Sequence, residues 1–78
     1  MNIDQPATLK RVNRALAKQG VPERLYRGKG YYYFADGGAD NWPATSVYVY
    51  SARHLTVRQF LEEYESLKSD AARYHGAA

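Results

Sequence analysis

The sequence predicts an α+β fold in the order α-β-β-β-α, a three-stranded antiparallel sheet with two helices packed on one face. Three observations carry that expectation. Apolar residues recur at helical spacing near both ends of the chain. Between those ends lie short β-branched and aromatic runs, separated by glycine, asparagine and proline. At 78 residues there is room for one domain and one modest core. That single domain takes in residues 1–78, with an ordered core over about 5–70 and a mobile tail over 71–78.

Helix 1 is expected from Pro6 to Gln19, with Asp4 or Gln5 flanking its start. Leu9, Val12, Ala15 and Leu16 form its apolar stripe. Gly20 suits the left-handed position that ends a helix, Val21 folds back on Leu16, and Pro22 blocks continuation. Strand 1 is Arg24–Arg27, and Gly28-Lys29-Gly30 makes a tight connection. Strand 2, Tyr31–Ala35, is aromatic on both faces: Tyr31 and Tyr33 point one way, Tyr32 and Phe34 the other. Which pair meets the core depends on register, which the sequence leaves open.

Residues 36–44 read as a loop containing Trp42. Strand 3, Thr45–Tyr50, alternates cleanly, with Val47 and Val49 toward the core and Ser46, Tyr48 and Tyr50 on the open side. Helix 2 opens on a capping box, Thr56-Val57-Arg58-Gln59, with Leu55 and Phe60 as hydrophobic staple. It is expected to run to about Ser69 and to fray onward to Gly76.

Composition narrows the function classes. With 45% hydrophobic and 24% charged residues the chain is globular rather than disordered. It has no cysteine, which excludes disulfides, thiolate zinc sites and thiol catalysis. No signal peptide is read at the N-terminus, and no apolar run approaches the roughly 20 residues of a membrane span. A cytoplasmic protein without membrane contact is therefore expected. Residues 1–39 hold seven basic and three acidic side chains, a net of +4; residues 40–78 hold four and five, a net of −1. On helix 1, Lys10, Arg14 and Lys18 line one face, and Arg27 and Lys29 follow. Such asymmetry suits an anionic partner, though a solvated helix face has the same composition.

Catalytic motifs are missing. His54 and His75 are the only histidines, and neither belongs to a nucleophilic triad or a metal-ligand spacing. His54 reads as a helix-entry residue, and is the one candidate for a small nuclease-like activity. Asp36–Asn41 has the glycine and acids of a cation loop but lacks the bidentate glutamate, so an ordinary turn is expected. Gly28-Lys29-Gly30 precedes a strand, not a helix, and so is no phosphate loop. No enzyme activity, metal or cofactor is expected.

Lys29-Gly30-Tyr31-Tyr32-Tyr33-Phe34 partly matches the aromatic strand of RNA-recognition motifs, with Tyr32 where a small residue belongs. The α-β-β-β-α order resembles that of double-stranded-RNA-binding domains and HicA-type mRNA-interferase toxins. In those toxins a Gly-Ser-His strand carries the presumed catalytic histidine; here the strand reads Gly30-Tyr31-Tyr32, so the resemblance carries no activity. The lysine cluster of the RNA-binding domains is also absent from Thr56-Val57-Arg58-Gln59. Arg27-Gly28-Lys29-Gly30-Tyr31-Tyr32-Tyr33-Phe34, Trp42, Ser46–Tyr50 and Leu55-Thr56 together resemble a group of small proteins of proteobacteria, their phages and mobile elements. That resemblance implies no established activity.

Two readings of function follow. The first is a nucleic-acid-binding module: Lys10, Arg14, Lys18, Arg27 and Lys29 meet phosphates, while Tyr31, Tyr33, Trp42, Tyr48 and Tyr50 offer stacking surface. The second is a protein-interaction module, an accessory or inhibitor protein or a homodimer, using the tyrosine face and Trp42. Coincidence of charge and aromatics in one stretch favours the first.

Overall fold

The computed structural model describes residues 2–76. Helix α1 spans Leu9–Lys18, strands β1, β2 and β3 span Arg24–Arg27, Tyr32–Ala35 and Ser46–Val47, and helix α2 spans Val57–Gly76. The sheet order is β1-β2-β3, both pairings antiparallel. This is the expected α-β-β-β-α architecture. No helix among the described residues is long and apolar enough to cross a membrane.

Helix α1 starts later than Pro6. Thr8 is its N-cap, accepting from the Arg11 N–H at 3.0 Å. Pro6 instead forms an antiparallel bridge with Thr56. Around it Ala7 N–H donates to Leu55 O at 2.8 Å and Arg58 N–H to Ile3 O at 2.7 Å. The N-terminal arm is thus tied to the α2 entrance by contacts that no local signal encodes. The C-terminal end is as read: Gly20 has φ +76, its N–H donates to Ala17 O, and Val21 N–H donates to Leu16 O.

Register decides which aromatic pair is buried. Leu25 opposes Phe34 and Tyr32 opposes Val47, so all four share one face. That face meets Val12 and Leu16 of α1 and Phe60 and Tyr64 of α2 in one core cluster. Tyr32 meets Phe60 edge-on at 5.8 Å, and Phe34 meets Tyr64 at 5.4 Å. The other edge of β1 is closed by a side chain. The Asn13 amide accepts from Leu25 N–H at 2.6 Å and donates to Leu25 O at 3.0 Å, standing in for a neighbouring strand.

Strand β3 is two residues long, not the Thr45–Tyr50 expected from alternation. Val49 N–H turns back to Val47 O at 3.0 Å, and a 3₁₀ turn follows at Ala52–His54. Ala52 N–H donates to the Tyr32 hydroxyl at 3.0 Å, drawing this segment over the end of β2. Val47 is buried and Tyr48 exposed as alternation requires. The loop after β2 contains a 3₁₀ turn at Gly37–Asn41.

The α2 capping box forms reciprocally: Gln59 N–H donates to Thr56 Oγ1 at 3.1 Å, and Thr56 N–H to Gln59 Oε1 at 2.9 Å. The helix continues past Ser69, with Ala71 buried and Arg73 paired to Asp70. Residues expected to be a mobile tail are therefore helical through Gly76; Ala77 and Ala78 lie outside the described residues.

Candidate functional site

The sheet has one uncovered face, and its aromatics meet there. Tyr26 opposes Tyr33, and Tyr33 opposes Ser46, so these residues point away from both helices. Tyr31 precedes β2 and Tyr48 follows β3 on the same side. Ring centroids run 5.7 Å from Tyr26 to Tyr33, 6.0 Å from Tyr33 to Tyr31 and 6.3 Å from Tyr31 to Tyr48. Four rings thus make a row across all three strands. Tyr48 is 83% exposed and stands at its open end. No aliphatic Leu, Ile or Val occupies a strand position on this face.

Two of the four rings, Tyr26 and Tyr31, are set by their neighbours. At one end the Tyr26 hydroxyl donates to the Asp36 carboxylate, which pushes the phenol up from its ordinary range. Asp36 sits at φ 72, ψ 163, a region that non-glycine residues avoid, and its own N–H donates to Asp40 Oδ1. Within the row, between Tyr33 and Tyr48, the Tyr31 ring lies across Gly28. A Cβ there would come within 2.4 Å of the ring. Gly28 N–H donates to Tyr31 O at 2.8 Å, closing the hairpin around Lys29 and Gly30, whose φ is +82.

Cations cluster beyond Tyr31. Arg27, Gly28, Lys29, Gly30 and the exposed Tyr50 line an open cleft of about 740 Å³. Arg27 opposes Tyr32, so its side chain leaves the tyrosine face and turns to the helix side at the end of the sheet. There it lines a second cleft with Thr8, Ser51 and Arg53.

The predicted site residues therefore separate into groups. Tyr31, Tyr33 and Tyr48 come together, Lys29 and Tyr50 share the cleft at the neighbouring hairpin, and Arg27 reaches the helix side. Lys10, Arg14 and Lys18 are exposed, but α1 packs on the covered face, so they lie on the opposite side of the molecule from the tyrosine row. Trp42 also leaves the group. It is half-buried, with its ring 5.7 Å from that of Tyr64, on the core side. There it packs against the core cluster, directly after the Gly37–Asn41 turn. Tyr26 and Arg53 were not singled out by motif, and Asp36 was read only as part of a turn; alternation along β1 was the available signal for Tyr26.

A buried polar pair lies away from this face. Glu23 accepts from the Tyr64 hydroxyl at 2.7 Å and from Gly38 N–H at 2.8 Å. Burial pushes the Glu23 carboxyl up, but these hydrogen bonds and the Lys68 charge outweigh it and hold it below its ordinary value. Burial first, then the bond to Glu23, raises the Tyr64 phenol far above its usual range. Both groups are satisfied and enclosed, which suits a structural pair. His54 is exposed in the Ala52–His54 turn, and among the described residues its ring bonds no side chain. The side chain of His75 lies outside the described residues. Among the described residues no group of three or more His, Cys, Asp or Glu side chains is placed to hold a metal ion.

No family model, curated protein or solved structure matches the chain.

Proposed function

We propose that the domain binds single-stranded nucleic acid on the open face of its sheet. One observation carries this reading: four adjacent tyrosine rings on the face that neither helix covers, with Lys29 in the hairpin beside Tyr31. Unstacked bases present π faces to such rings whatever their sequence, and the cations neutralise phosphates. A duplex keeps its base faces stacked and offers the row nothing. The lack of branched aliphatic residues on this face favours a nucleic acid over an obligate protein partner, whose interface core is more apolar. The α1 stripe is a solvated helix face in this reading.

Fluorescence anisotropy with labelled single-stranded RNA and DNA at low salt tests the reading. Binding is expected for single strands and weak for a duplex of equal length. Tyr33→Ala and Tyr48→Ala should each weaken binding by about 1–3 kcal/mol. Absence of binding to both single strands at low salt rejects it. Capture of a second copy by the same face appears as a dimer in sedimentation and is the competing outcome.

A further inference from the structure

We propose that Arg27 and Arg53 form a phosphate-binding cleft that takes the backbone of a single strand as it leaves the tyrosine row. The inference rests on the nucleic-acid reading above. The cleft is open, about 440 Å³, and Arg27 and Arg53 are among its lining residues, with the hydroxyl-bearing Thr8 and Ser51. No carboxylate side chain among the described residues lines it. Among the described residues neither arginine forms an ion pair or a side-chain hydrogen bond, unlike Arg58 and Arg73, which are held by Asp4 and Asp70. Two cations facing one cleft without an anion repel each other, and a phosphate relieves that repulsion.

The cleft walls are held by the fold. Arg27 is the last residue of β1 and is aimed by its register with Tyr32. Arg53 stands in the 3₁₀ turn that the Tyr32 hydroxyl holds through Ala52 N–H. One strand position therefore fixes both arginines. The path from the row is continuous. Tyr31 lies over Gly28; Gly28 shares a cleft with Lys29, Tyr50 and Arg27; Arg27 shares the next with Arg53. Arg53 lies in the acidic half of the chain, far in sequence from the basic run, and no charge pattern marks it.

The salt dependence of binding an eight-nucleotide single strand tests this. For single strands the slope of log K against log salt is about −0.7 per phosphate neutralised. Arg27→Gln with Arg53→Gln keeps both aliphatic stems and should make the slope shallower by about 0.7 to 1.4, as the pair holds one phosphate or two. Low-salt affinity should fall at least about tenfold. Lys10→Gln, Arg14→Gln and Lys18→Gln together should leave the slope unchanged. If the double variant does not fold by circular dichroism, Arg53→Gln alone, in an exposed turn, carries the test. An unchanged slope in a cleft variant, with Tyr33→Ala still weakening binding, overturns the cleft and leaves the tyrosine reading standing. Wild-type protein that binds no single strand overturns both.

Discussion

Strand β2 and the residue before it, Tyr31, hold two aromatic pairs of nearly identical chemistry with opposite fates. Tyr32 and Phe34 are 5% and 1% exposed under two helices, while Tyr31 and Tyr33 remain half-exposed on a face that nothing covers. Hydroxyl partners differ as well. Buried Tyr32 and Tyr64 each hold an internal partner, Ala52 N–H and Glu23. On the open face the hydroxyls of Tyr31, Tyr33 and Tyr48 have no side-chain partner among the described residues. One residue type thus serves as core and as exposed surface in this domain, with the strand's two-residue period as the switch. The comparison predicts that substitutions one residue apart have unequal effects.

The largest effect is expected at Phe34. Phe34→Ala removes a ring packed on Leu25 and Tyr64 and should cost about 3–5 kcal/mol, a large share of what holds a domain of this size. Tyr33→Ala, its neighbour, should cost under about 1 kcal/mol while weakening ligand binding. Urea titration of both proteins checks the contrast. Equal destabilisation would mean that the tyrosine row is a second core rather than a surface.

Next in size is the buried pair beneath the covered face. Glu23→Ala leaves the Tyr64 hydroxyl and Gly38 N–H without their acceptor, which should cost about 2–3 kcal/mol. A pH dependence follows from the direction of the shift. The Glu23 carboxyl is held below its ordinary value near 4.5, so its contribution is full above that pH and is lost as pH falls through the lower folded value. Glu23→Gln should therefore be less stable at neutral pH and lose less stability than wild type on acidification. Tyr64 has the opposite sign: its phenol is raised, so its contribution is full below about 10 and is lost as pH rises beyond. Thermal melts across pH, with Glu23→Gln as reference, separate the acid limb from that of other carboxylates.

Legibility in the sequence follows the range of the interactions. The α2 capping box and the α1 ending at Gly20 were readable because each is closed within six residues. The α1 start was not, since Pro6 is claimed by Thr56, fifty residues on. Alternation placed Val47 and Tyr48 correctly but overran β3, because a strand's length is set by its neighbour, and Tyr32 draws Ala52 away. The site was legible in part. Tyr31, Tyr33 and Tyr48 were named; their union needed register. Trp42 was grouped with the tyrosines because a lone tryptophan in a loop looks like an anchor, whereas its contact with Tyr64 places it beside the core. The basic helix was joined to the tyrosines by sequence proximity, whereas packing puts the two on opposite sides.

The smallest effect on stability, and the sharpest on the comparison, is expected at Gly28. Its φ is negative, so alanine introduces no backbone strain there. The new Cβ would meet Tyr31 Cζ at 2.4 Å, and Cε1 and Cε2 at 2.7 Å. These are the far atoms of a half-exposed ring, which can swing outward at little cost. Gly28→Ala should therefore change the melting temperature by only a few degrees, about 1 kcal/mol or less. The displaced ring should leave its 6.0 and 6.3 Å contacts with Tyr33 and Tyr48, breaking the row at its centre. Single-strand binding should weaken about as much as in Tyr31→Ala, with the salt slope unchanged because no cation is lost. Unaltered affinity in a folded Gly28→Ala protein would mean that Tyr31 takes no part in the face, leaving Tyr48 isolated from Tyr33 and Tyr26.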